Sequence, residues 1–220
     1  MRPAPDLRVY LVTDADLCES AGRTVLQTVE AAVEGGATCV QLRAKTSDGG
    51  PFLAEVLEVC EAVGERVPVI VNDRVDVFLA ARALGAAVAG VHVGQSDLPA
   101  PVVRDLIGDG AYLGLSVGTD EEARIAREAG AADHVGLSVL RTTSTKTDTP
   151  DVLGFDGCER LAREVGMGSV AIGGVGVADM AELARRGIGG GAVVSAICCA
   201  PDPRAAAAEL LAAWNEGGAS

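Results

Sequence analysis

The chain has 220 residues, 49% of them apolar but only 3% aromatic, so its core must be built from Ala, Val, Leu and Ile. Its 18 basic and 31 acidic residues leave a formal charge of −13, which argues against nucleic acid or an anionic membrane as a general partner. A small anionic ligand still needs local positive charge, and Arg43, Lys45 and Lys146 stand out because they lie in Gly-, Thr- and Asp-containing turns.

Short β-branched runs alternate with longer segments of helical spacing from the start of the chain. The run Val9–Thr13 precedes a helix over 24–34, and Thr38–Leu42 precedes one over 52–64. Pro68–Val71 leads to 75–84, Ala89–Val93 to 99–107, and Tyr112–Val117 to 120–129. His134–Leu137 leads to 156–165 after a polar stretch at 141–151. Ser169–Gly173 then leads to 178–186, and Ala192–Ser195 to 203–214. Ser, Asp, Thr or Pro opens several of these helices, and Gly35, Gly64, Gly85, Gly108, Gly130, Gly166 and Gly187 follow their ends. Such an alternation implies parallel strands with right-handed crossovers, and eight units fit a closed α/β (β/α)8 TIM barrel, a single catalytic domain over 1–220. A doubly wound open sheet is the alternative architecture.

The active site of a barrel is built from the loops after its strands. Here the second strand runs out through Gln41 to Arg43 and Lys45, the third ends in Asn72 and Asp73, and the fourth runs out through His92 to Gln95 and Asp97. Ser116 follows in the fifth strand, Thr143, Thr145 and Lys146 after the sixth, Gly173 and Gly174 after the seventh, and Val194 and Ser195 after the eighth. Asp73 and Asp97 leave adjacent strands, about 4.8 Å apart, and can approach one point. Two carboxylates are too few to cage Mg2+, but suit it when phosphate oxygens and water complete the octahedron. Capping of the following helices is their plainer reading. Arg43, Lys45 and Lys146, with the hydroxyls of Thr143, Thr145 and Ser116, form an anion cradle, because Arg forks onto phosphate and Lys supplies point charge. Gly173, Gly174 and Ser195 stand where phosphate-binding barrels hold a phosphate on backbone N–H groups. His92 is read as a packed, hydrogen-bonded residue in preference to a general base, and His134 as structural.

The cysteines at 18, 39, 60, 158, 198 and 199 show no metal-site spacing and read as buried reduced thiols. The N-terminus carries no basic-plus-apolar leader and no apolar run approaches a membrane span, so a cytoplasmic location is expected. The acidic surface permits a monomer or a homodimer.

In combination, Gln41-Leu42-Arg43-x-Lys45, Asn72-Asp73, His92-Val93-Gly94-Gln95-x-Asp97, Ser116, Thr143-x-Thr145-Lys146, Ile172-Gly173-Gly174 and Val194-Ser195-Ala196-Ile197 resemble the thiamine phosphate synthase family. The resemblance runs from Tyr10 to Ile197. It implies a Mg2+-dependent transferase of thiamine biosynthesis that joins a pyrimidine pyrophosphate to a thiazole phosphate and releases pyrophosphate. It also implies that Gln41, Arg43, Lys45, Asn72 and Lys146 hold the pyrimidine pyrophosphate, with Asp73 and Asp97 on Mg2+ and Ser116 by the pyrimidine. Thr143, Thr145, Gly174, Val194 and Ser195 would hold the thiazole phosphate. One segment departs from the pattern: Ser138-Val139-Leu140-Arg141-Thr142 stands where the family has Gly-Pro, a hydrophobic or aromatic pair and Pro. The stretch between Asp73 and Asp97 is also longer than usual, which would extend the third helix or its exit turn. Two rivals are a thiazole tautomerase-like paralogue and a non-catalytic phosphate-binding barrel. The 141–151 stretch is expected to close over bound pyrophosphate as a lid.

Overall fold

The computed structural model describes residues 4–141 and 152–218. Eight parallel strands pair in chain order and close on themselves: β1 (Val9–Val12), β2 (Cys39–Leu42), β3 (Val69–Asn72), β4 (Gly90–Val93), β5 (Tyr112–Val117), β6 (His134–Ser138), β7 (Gly168–Ile172) and β8 (Gly191–Val193). The β8–β1 pairing, with Val9 opposite Gly191, seals the ring. This (β/α)8 barrel removes the open-sheet alternative.

The helices are α1 (Ala15–Ser20), α2 (Val25–Gly35), α3 (Gly49–Val63), α4 (Val75–Ala83), α5 (Ala100–Ile107), α6 (Asp120–Ala129), α7 (Gly154–Val165), α8 (Val177–Arg185), α9 (Ser195–Cys198) and α10 (Pro203–Gly218). Thr24 opens α2 with a capping box: its hydroxyl accepts from Gln27 N at 3.1 Å, and Gln27 Oε1 accepts from Thr24 N at 3.0 Å. Gly36, at φ 107°, closes α2 in the left-handed region, correcting the expectation that Gly35 ends it. Gly35 is needed for another reason. A Cβ there would lie 2.1 Å from the Arg204 carbonyl oxygen, so its bare backbone lets α10 pack against α2. After α4, which ends at Ala83, the chain runs from Leu84 to Ala89 as an exit turn before β4.

Each strand divides its side chains by parity. Val9, Leu11, Val40, Leu42, Val69, Val71, Val91 and Val93 face outward and pack with helix residues such as Val29, Phe52, Val59 and Phe78. Tyr10, Val12, Cys39, Ile70, Val170 and Ala192 face inward and form a second, smaller cluster. The sheet is thereby apolar on both faces, except where inward positions carry polar groups.

Two short helices, α1 and α9, were not expected, because six and four residues are too few to show a period. The eighth strand also ends at Val193 rather than at Ser195, which instead opens α9. Five cysteines are buried as expected, but Cys199 is exposed.

Candidate active site

A cavity of about 430 Å3 opens at the C-terminal ends of the strands, lined from all sides of the barrel. Its floor is a layer of buried polar side chains from inward positions. Gln41 Nε2 donates to the Tyr10 hydroxyl at 2.9 Å, and Nε2 of His92 lies 3.0 Å from Ser116 Oγ. The His134 ring stands edge-on to Tyr10 at 5.9 Å and tilted to His92 at 5.8 Å. Room for two imidazoles inside a barrel comes from missing side chains. A Cβ on Gly114 would lie 2.3 Å from His92 Nδ1 and 2.6 Å from His134 Nε2, and one on Gly136 would lie 3.2 Å from His92 Cε1. Burial raises the Tyr10 phenol well above its ordinary pKa, so the layer presents Tyr10 as a neutral hydroxyl.

The acidic groups converge at the rim. Partial burial, and after it the negative charge of Asp97, push the Asp73 carboxyl up to about 6, while Asn72 and Arg43 oppose the rise. Asp73 takes the left-handed backbone at φ 60°, uncommon for a side-chain-bearing residue, and Asn72 Nδ2 donates to its Oδ2 at 2.6 Å. Asp97 is held from β4's exit by the Gly94 N–H at 2.7 Å. Neither carboxylate caps the following helix: the N-caps of α4 and α5 are Arg74 and Pro99, without side-chain capping bonds. Two carboxylates pressed together with this surplus of negative charge suit a hard divalent cation that completes its shell with phosphate oxygens and water. Among the described residues no cluster of three or more His, Cys, Asp or Glu could cage a metal by itself.

Arg43 faces the cavity from β2, its N–H bonded to Thr13 Oγ1 at 3.1 Å and its guanidinium 4.0 Å from Asp14. Gln95 bridges from the exit of β4 to the Ser116 carbonyl at 2.6 Å. Across the mouth, Gly173 and Gly174 turn through the left-handed region at φ 93° and 70°. Beside them Val194 and Ser195 lead into α9. Backbone there comes close to the cavity because no side chain intervenes.

Gln41, Arg43, Asn72, Ser116, Gly174, Val194 and Ser195 thus share one cavity, with Asp73 and Asp97 adjoining it. Lys45 is exposed on the β2 loop and does not line the cavity. Thr143, Thr145 and Lys146, and the lid expected of 141–151 beyond Arg141, lie outside the described residues. Sequence reasoning missed Tyr10 and Asp14 as cavity residues, while His92 is buried and hydrogen-bonded as expected and also borders the cavity. The strand alternation that turns Gln41 inward also turns Tyr10 inward, and was the available signal.

A family model described as thiamine monophosphate synthase matches residues 9–197. The thiamine-phosphate synthase of Ruminiclostridium cellulolyticum is 42% identical over 212 residues, covering 96% of this chain and 97% of that protein. The thiamine-phosphate synthase of Corynebacterium efficiens is 39% identical over 218 residues, covering 99% of each. Among solved structures, thiamine phosphate pyrophosphorylase from Pyrococcus furiosus superposes with a TM-score of 0.83 at 31% identity, covering 97% of this chain and 98% of that one.

Proposed function

Because the chain belongs to the thiamine monophosphate synthase family, we infer that it condenses 4-amino-2-methyl-5-pyrimidinylmethyl diphosphate with a thiazole phosphate, giving thiamine phosphate and pyrophosphate. The observation that carries the site assignment is the meeting of Asp73, Asp97, Asn72 and Arg43 at one side of a cavity floored by Gln41 and Ser116. That is a metal-and-anion rim above a polar floor.

The CH2–O bond of the pyrimidine substrate breaks, its electron pair leaves on pyrophosphate, and the thiazole nitrogen supplies the pair for the new C–N bond. The positive charge ends on the thiazolium ring. Gln41 and Ser116 hold the pyrimidine, with Ser116 itself held by His92. Arg43 and Asn72, with Lys45 and Lys146 from their loops, bind the departing pyrophosphate and stabilise its charge. Asp73 and Asp97 would hold Mg2+, which would supply positive charge to neutralise the leaving group. Gly174, Val194 and Ser195, with Thr143 and Thr145, hold the thiazole phosphate so that its nitrogen meets the pyrimidine methylene.

The tautomerase-like reading is not favoured, since the relatives compared carry the synthase name across nearly the full chain. Mixing both substrates with the protein and Mg2+ and assaying thiamine phosphate tests the assignment. Absence of product at saturating substrates would overturn it.

A further inference from the structure

The segment that departs from the family pattern is tied to the β7 turn by a closed set of bonds. Leu140 N–H donates to the Ile172 carbonyl at 2.8 Å, and Arg141 N–H to the Gly173 carbonyl at 3.1 Å. The Arg141 side chain then reaches over the same turn. Its Nη1 donates to the Gly174 carbonyl at 2.9 Å and to Asp179 Oδ2 at 2.8 Å, and its Nη2 to Asp179 Oδ1 at 2.5 Å. Asp179, buried at 7% exposure, also accepts from Gly176 N–H at 2.9 Å. The guanidinium is steadied from below by the Phe155 ring, 5.6 Å to its centroid.

Two consecutive left-handed glycines have little intrinsic rigidity, because glycine reaches both signs of φ at similar cost. They offer a ligand only backbone: N–H groups that attract a phosphate and carbonyls that repel it. Arg141 occupies the carbonyls of Gly173 and Gly174, so the polar groups these two residues retain for a ligand are their N–H donors. We propose that Arg141, clamped by Asp179, is a positioning residue that fixes the turn with the Gly173 and Gly174 carbonyls withdrawn and the N–H donors of these two glycines available to the thiazole phosphate. The inference rests on the assignment of that phosphate to Gly174. Arg141 acts through the turn and touches no substrate, and a bidentate ion pair here serves where the family has a hydrophobic or aromatic side chain.

The test is steady-state kinetics of Arg141→Gln and Arg141→Lys, with Asp179→Asn as an independent break of the same clamp and Gly174→Ala as a probe of the turn. Each is run with thiazole phosphate and with the thiazole alcohol that lacks the phosphate. Arg141→Gln and Asp179→Asn are expected to raise KM for thiazole phosphate by about 5- to 100-fold, with KM for the pyrimidine diphosphate within about twofold. The preference for phosphate over alcohol should fall by the same factor, and Arg141→Lys should lie between. Loss of both substrates alike, or an unchanged thiazole phosphate KM while Gly174→Ala raises it, would overturn the role of Arg141 and leave the phosphate site standing. If Gly174→Ala also leaves that KM and the phosphate preference unchanged, the phosphate is not held at this turn, and the site assignment fails with the clamp.

Discussion

Gly114→Ala tests whether the barrel interior, and not the rim alone, sets the geometry of the site. The added Cβ would sit 2.3 Å from His92 Nδ1 and 2.6 Å from His134 Nε2, so each ring must give by roughly 1 Å to regain van der Waals contact. His134 is fully buried against Tyr10 and has nowhere to go, whereas His92 borders the cavity and can swing up into it. That movement breaks the His92–Ser116 hydrogen bond and takes space needed by the pyrimidine. Overpacking costs about 1–3 kcal/mol and the lost hydrogen bond about 1 kcal/mol, a total of roughly 2–4 kcal/mol or about 5–15 °C in Tm for a chain of this size. Thermal denaturation is expected to show that drop, and a pyrophosphate-release assay a fall of about tenfold or more in kcat/KM for the pyrimidine substrate. In a His92→Ala background the same substitution should cost less, since the 2.3 Å contact is gone and the space His92 leaves lets the His134 ring shift away from the new Cβ. An unchanged Tm, or an equal cost in the two backgrounds, would refute the account of why this position is glycine.

Asp73→Asn should separate activity from stability. The fold raises this carboxyl from 3.8 to about 6, so its ionisation opposes folding: the penalty is absent below about pH 4 and complete above about pH 6. Without metal the variant should melt about 1–2 °C above the parent at pH 7.5, after allowance for solvent screening, and level with it near pH 4, while synthesis is largely lost. A Tm difference independent of pH would contradict the sign. Excess chelator should abolish turnover and added Mg2+ or Mn2+ restore it; undiminished activity in chelator would remove the metal from Asp73 and Asp97. Gly35→Ala drives a Cβ to 2.1 Å from the Arg204 carbonyl and should lower Tm by several degrees with both KM values intact, because α2 and α10 pack far from the cavity. An electron-withdrawing substituent on the pyrimidine should slow chemistry at least tenfold, about 1.4 kcal/mol of barrier, if charge develops on its methylene before the thiazole attacks; a rate indifferent to the substituent points to direct displacement.

Much of the site was legible because a barrel gathers strand ends whatever lies between them. Knowing that Gln41, Asn72, Ser116 and Gly174 lie at or just beyond the C-terminal ends of four different strands was enough to expect them around one mouth, and Gln41, Arg43, Asn72, Ser116, Gly174, Val194 and Ser195 do line it. Lys45 lies exposed outside the cavity lining, because a charge in a loop after a strand can point along the rim as easily as into the cavity. The plain capping role for Asp73 and Asp97 failed because residues 74 and 99 start those helices, a displacement of one or two positions that no pattern resolves.

What the amino-acid order determined by itself is the kind and succession of elements. Side-chain direction alternates along a strand and recurs every 3.6 residues along a helix, so the choice of Val9 and Leu11 outward, or of Thr24 and Gln27 as a cap, is made within a few residues. Tertiary structure alone decided which distant groups meet. Tyr10 reaches Gln41 across 31 positions, His92 reaches Ser116 across 24, and Arg141 reaches Asp179 across 38. These contacts exist only once β1 has paired with β2, β4 with β5, and the exit of β6 with the turn before α8, because each pairing brings side chains from separate elements side by side. A local periodicity carries no information about that distance.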